Sequence, residues 1–183
     1  HILHLKRWLT YDNTLCRQHS PYGDSRMSKI FVDELAGIAN ANTVAIPGHV
    51  IQVVEGSITS NSATSSTSFV ASNLSASITP SSTASQVLIV VNGHMYAPSN
   101  NQFSCDIYRN TTSITGKSDG FMNAWYESTR GRFPVHCSLL DSPSTTSAVT
   151  YTLYIRSISG GEISFPNQLP NVKNTITLME IAG

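Results

Sequence analysis

Six histidines, three cysteines and a sparse set of carboxylates are the side chains of this 183-residue chain best suited to chemistry. His1, His4 and His19 lie in an irregular head, and His49, His94 and His136 lie far apart in or beside strand-like segments. No HxH or HxxxH pair occurs, and no carboxylate stands at ligand spacing beside them, so no metal site is expected. The imidazoles read as surface or interface groups; the sharper alternative is one that lines a three-fold axis and holds an ion there. Cys16, Cys105 and Cys137 form neither a zinc ribbon nor a redox CxxC. Whether Cys105 and Cys137 pair or stay as two buried thiols is left open, because spacing does not supply disulfide geometry. No GxSxG elbow activates a serine. Glycoside hydrolysis needs two carboxylates in one cleft. Glu127 with Asp119 or Asp106 is the only pairing that merits a test. Asp141, in a Asp-Ser-Pro-Ser run, is better explained as a turn residue that bonds its own backbone. The expectation is therefore a protein that is not an enzyme and has no cofactor.

Binding is the chemistry that remains. Residues 116–131 (GKSDGFMNAWYESTRG) combine flat aromatic rings with amide and charged groups. Rings stack on sugar faces while amides and charges bond hydroxyls. The predicted contacts are Asn123, Trp125, Tyr126, Arg130 and Arg132, joined by Asn100 and Asn101 from the loop at 96–101. Residues 166–171 (PNQLPN) are a further loop candidate. The competing reading makes Phe121 and Trp125 core residues. Both parities of this strand carry large apolar groups, which also suits burial in the core on one side and at a subunit interface on the other. Tyr154 and Arg156 are candidates for an oligomer interface, since Tyr and Arg are favoured there over Lys and Glu.

The elements that must position these residues are strands. Charged residues make up 12% of the chain, about half the usual share, while Ser and Thr make up roughly a quarter. Hydroxyl and β-branched residues suit strand surfaces better than helix surfaces. Residues 69–79 alternate, with Leu74, Ala76 and Ile78 on one face and Ser75, Ser77 and Thr79 on the other. Residues 86–95 (QVLIVVNGHM) form the most apolar run and predict a central buried strand. Further strands are expected at 49–55 (stopped by Gly56), 103–109, 120–127, 132–140, 149–156, 162–165 and 174–182, with a polar loop at 59–68. Pro134 should mark an edge strand or a bulge. About nine strands with frequent turn signals and no convincing helix predict an all-β fold. The expected form is an antiparallel two-sheet β-sandwich of jelly-roll or Greek-key type, preceded by an extended N-terminal segment.

Residues 47–183 are read as that sandwich domain and residues 27–46 as an extended lead-in. Residues 1–26 are read as an irregular head outside the native product, with Met27 as an ordinary start; the mass of the natural product would test this. Zero formal net charge gives no attraction to nucleic acid or anionic lipid, and no apolar run reaches membrane-span length. A neutral, hydroxyl-rich surface favours life inside an assembly.

Four segments together carry a resemblance: 47–54 (PGHVIQVV), 77–89 (SITPSSTASQVLI), 139–151 (LLDSPSTTSAVTY) and 175–182 (TITLMEIA). From about Met27 to the end, the chain resembles small virion proteins of marine tailed phages, usually described as tail-fibre-like or structural. The resemblance implies a trimeric β-sandwich of the virion at a fibre tip. It leads to the expectation of a homotrimeric domain, among other virion proteins, that attaches to a host-surface glycan or protein. The alternative is a capsid or tail decoration protein with no ligand of its own.

Overall fold

The computed structural model describes residues 48–127, 130–166 and 173–183, all within a unit spanning Ala45–Gly183. The expectations for the head, the lead-in and residues 167–171 lie outside the described residues, as do the side chains of Tyr126 and Arg130. Among the described residues there is no helix, and hence none long and apolar enough to cross a membrane.

Eleven strands are present: β1 (Val50–Ile58), β2 (Ser62–Thr64), β3 (Val70–Ile78), β4 (Gln86–Pro98), β5 (Asn101–Arg109), β6 (Thr112–Ser113), β7 (Met122–Tyr126), β8 (Arg130–Asp141), β9 (Val149–Ser157), β10 (Ile163–Phe165) and β11 (Asn174–Ile181). They form two antiparallel sheets packed as a β-sandwich. In sheet A the long strands run β1-β11-β4-β8, and the short β10 and β2 extend it beside the far half of β4. In sheet B the long strands run β3-β9-β5-β7, with β6 continuing along the edge of β5. The two strands beyond the nine expected are the very short β2 and β6, whose two or three residues leave no period to read.

Alternation builds the core. On β3, Leu74, Ala76 and Ile78 face inward while Ser75 and Ser77 face out. On β4 the inward set is Val87, Ile89, Val91, Met95 and Ala97; on β9 it is Val149, Tyr151, Leu153 and Ile155. Each fully buried aliphatic or aromatic side chain contributes about 1.5–3 kcal/mol relative to exposure. Gly93 interrupts the β4 run because the Phe165 ring occupies the space its side chain would need.

Two expectations change in detail, and one open question is resolved. Gly56 does not stop the first strand; β1 continues to Ile58, and Gly56 sits where a Cβ would fall 2.0 Å from the Ser75 carbonyl oxygen. That contact needs a glycine, and it joins the two sheets along the β1–β3 side. Asp141 does not act only locally. Its Oδ2 accepts the Arg109 guanidinium at 2.8 Å and the Tyr151 hydroxyl at 2.6 Å, linking strands of both sheets. Cys105 and Cys137 are both buried free thiols. Pro134 does lie on an edge strand, since β8 pairs with β4 alone among the described residues.

Candidate functional site

The candidate site begins with a carboxylate that is not at the surface. Cys105 and Ile107 face the core, so Asp106 between them faces outward from sheet B. It is nonetheless buried, because the chain from Ser113 to Phe121 is laid over it. Asp106 Oδ1 accepts the Ile107 amide at 2.8 Å and the Thr115 hydroxyl at 2.8 Å, and Oδ2 accepts the Ser113 hydroxyl at 2.7 Å. Farther on, the Phe121 amide donates to the Cys105 carbonyl at 3.0 Å. Gly120 makes that approach with a positive φ of 66°; a Cβ there would lie 2.1 Å from the Cys105 oxygen. The loop is thereby fixed at both ends, and β7 enters sheet B in a set register: Cys105 opposite Met122, Ser104 opposite Asn123, Gln102 opposite Trp125.

That register turns Met122 and Ala124 against the core and leaves Trp125 64% exposed on the outer face. Phe121 is partly buried against the core, so the two competing readings divide between the two rings. Beside Trp125, the Gln102 side-chain amide donates to Asn123 Oδ1 at 2.8 Å. The Gln102 backbone is held too: its carbonyl accepts the Ile158 amide at 2.6 Å. One step along the sheet, Ser104 stands between Arg156 and Asn123. Ser104 Oγ and Arg156 Nε are buried and have no hydrogen-bond partner among the described residues.

The other predicted contacts reach the same end of the sandwich by a different route. There β4 of sheet A turns into β5 of sheet B, β7 of sheet B ends and β8 of sheet A begins, and β8 pairs Arg130 with Pro98 and Arg132 with Tyr96. Arg132 is exposed. Asn100 sits at the turn apex with a positive φ of 54° and is exposed. Asn101 is different. It is buried, its Nδ2 donates to the Gly161 carbonyl at 2.9 Å, and its Oδ1 accepts the Ser157 hydroxyl at 3.0 Å. Asn101 therefore holds the turn at Gly161 and offers no free amide to a ligand. Gln102 and Ser104 were not among the predicted site residues, and Asp106 was named only as a carboxylate to pair with Glu127. The only sequence signal for them is their shared parity on β5, which marks an outward face.

Tyr154 and Arg156 belong to the same outer face, and their partners are within the chain. Tyr154 stacks on Tyr108 with ring centroids 3.8 Å apart, and Tyr108 also meets Phe69 at 6.2 Å. Arg156 lies over the Phe69 ring at 4.6 Å and donates to Asp119 Oδ1 at 2.9 Å. Burial, and the negative charge of Asp106, raise the Tyr108 pKa above the usual phenol value. Asp106 and Asp119, the suggested partners of Glu127, thus have other partners of their own.

No group of three or more His, Cys, Asp or Glu is placed to hold a metal among the described residues. His136 Nδ1 lies 2.6 Å from Asn92 Oδ1 on the outer face of sheet A. Burial pushes the Cys137 thiol up to about 12 and the Cys105 thiol higher still, so neither is a ready nucleophile. What the site offers is an exposed indole on a strand of fixed register, beside the side-chain amides of Gln102 and Asn123. That set can stack on an apolar ring face and bond hydroxyl groups around it. In comparisons with protein families and with curated proteins, the chain matches none.

Proposed function

We propose that this chain is a non-enzymatic phage virion domain of tail-fibre type, which attaches as a homo-oligomer to a glycan or protein of the host surface. The observation that carries the reading is Trp125: a large exposed ring on a short strand that Asp106 and Gly120 hold in register, beside the Gln102–Asn123 amide pair. An exposed aromatic with adjacent hydrogen-bonding groups suits recognition of sugar rings. The interleaved order β1-β11-β4-β8 over β3-β9-β5-β7 is read here as a jelly roll, an architecture used by lectin and viral capsid domains. Several weak sites on one rigid oligomer would raise avidity without new contacts.

Titration of the full chain against a panel of bacterial surface polysaccharides, followed by isothermal calorimetry, tests the reading. Trp125→Ala should weaken binding about tenfold or more, the loss of roughly 1.4 kcal/mol, and leave the thermal midpoint unchanged. Equal binding by wild type and Trp125→Ala, or no binding to any glycan or host cell, removes it. A second reading, capsid or tail decoration without a ligand, is favoured by the apolar residues on the outer face of sheet A. In that case the protein saturates particles at fixed stoichiometry and ignores cells.

A further inference from the structure

We propose that the outer face of sheet A is the surface on which copies of this chain pack together. The inference rests on the homo-oligomeric part of the reading above, and it moves the interface away from Tyr154 and Arg156. Those two side chains already have partners on sheet B, whose outer face is further covered by the loop over Asp106.

Sheet A has no such cover among the described residues. The register places Val53, Met179, Leu88 and Leu140 side by side in one row across all four long strands. Inward-facing Val54, Leu178, Ile89 and Leu139 form the neighbouring row, so the first row points out. Val53 is 58% exposed and Leu140 55%, at the two edges of the row. Val50 and Ile51 at the start of β1 are also exposed, so four of the five exposed large apolar side chains among the described residues lie on sheet A. Contiguous apolar surface of this kind marks an interface in a soluble protein.

Charge selects the occupant. The next rows are Glu55–Thr177–Val90–Ser138 and Ser57–Thr175–Asn92–His136. Glu55 is the one formally charged side chain in these three rows, and Lys173 pairs with it. The face presents no net charge for an oppositely charged partner to complement. An identical face, from a chain of zero formal net charge, meets it without repulsion. Size agrees. Four strands of 8 to 13 residues, about 4.8 Å apart and rising about 3.3 Å per residue, span roughly 20 Å by 30 Å. That is roughly 600 Å² of plane before side-chain relief, near the ~800 Å² that each partner contributes to a stable interface. Two such faces would stack about 10 Å apart, as sheets do within a sandwich.

The test uses the full chain, with light scattering after size exclusion across a micromolar concentration series. Wild type should run as an oligomer. Leu88→Glu with Leu140→Glu should run as a monomer with unchanged near-ultraviolet circular dichroism. Val53→Glu, on an edge strand and outside the core, should weaken self-association about tenfold by placing a charge in an apolar contact. Ser75→Glu, on the outer face of sheet B, should leave the oligomer intact. A monomeric wild type, an oligomer that survives both Leu88→Glu and Leu140→Glu, or one that Ser75→Glu dissociates equally, overturns the proposal. Glycan binding per protomer, measured on the monomeric variant, separates this outcome from failure of the recognition site at Trp125.

Discussion

Replacing Glu180 by glutamine exchanges one carboxylate oxygen for an amide and leaves the side-chain volume almost unchanged. Glu180 is fully buried on β11, at the end of the sandwich opposite the Trp125 site. Its Oε1 accepts the Ser81 amide at 2.7 Å and the Ser81 hydroxyl at 2.6 Å; its Oε2 accepts the Gln52 amide at 2.6 Å. A glutamine oxygen can serve Ser81, but its NH₂ then faces the Gln52 NH₂. Gln52 cannot simply flip, because the same nitrogen also donates to the Thr79 carbonyl at 2.8 Å. One charge-assisted bond, about 1.5–3 kcal/mol, is lost and two are weakened to neutral strength. Relief from burying a charge offsets part of that. The expected net cost is about 2 kcal/mol at neutral pH, read from the urea midpoint at unchanged slope.

The pH dependence gives the sharper check. Burial alone would raise the Glu180 pKa, but the hydrogen bonds from Gln52 and Ser81 outweigh it and hold the carboxyl below the usual glutamate value. Its contribution is therefore present above the unfolded-state pKa and is lost as pH falls through the lower folded-state value. The gap between wild type and Glu180→Gln should shrink as the pH is lowered through that range. A gap under about 0.5 kcal/mol at neutral pH, within the range of ordinary surface substitutions, would refute the reasoning. So would a gap that does not change in acid.

Asp106→Ala should cost about 2–3 kcal/mol, because it leaves Ser113, Thr115 and the Ile107 amide without their acceptor. Amide exchange should accelerate across residues 113–121 before it does so in β4 or β9, and uniform acceleration would contradict the pinning role. Both Cys105 and Cys137 should resist a thiol reagent in the native protein and react only as fast as the sandwich opens. Labelling much faster than global unfolding would show that the burial is wrong.

Local period was enough to find the long strands. β3 and β9 alternate cleanly, and the unbroken apolar run of β4 correctly marked a strand flanked on both sides. Residues whose role depends on a distant segment were less legible. Gly56 looked like a terminator because its requirement comes from Ser75 on another sheet. Asp106 looked like a catalytic partner for Glu127, because the loop whose hydroxyls occupy it is not implied by its neighbours. Asn101 and Asn100 are the same residue type in adjacent positions, yet only the fold makes one a strut and the other a tip. Trp125 was recognised as chemically notable, but its exposure follows from a register that Gly120 and Asp106 set. The outward row of sheet A was invisible for the same reason: its four members come from four strands and meet only once the strands are paired.

The place of β11 in sheet A has a consequence for how the protein comes off the ribosome. Residues 174–181 lie between β1 and β4, so the two edges they join are separated until the ribosome has passed them. Before that point a nascent chain carries β1 unpaired in this sheet and β4 with one flank partly open, both rich in valine and isoleucine. Sheet B can close earlier, since all four of its long strands precede residue 158. Once residue 158 has emerged, a half-built sandwich awaits its middle strand, and pairings of such long sequence separation form slowly. A truncation that removed residues 174–181 would split sheet A down its centre instead of trimming an edge.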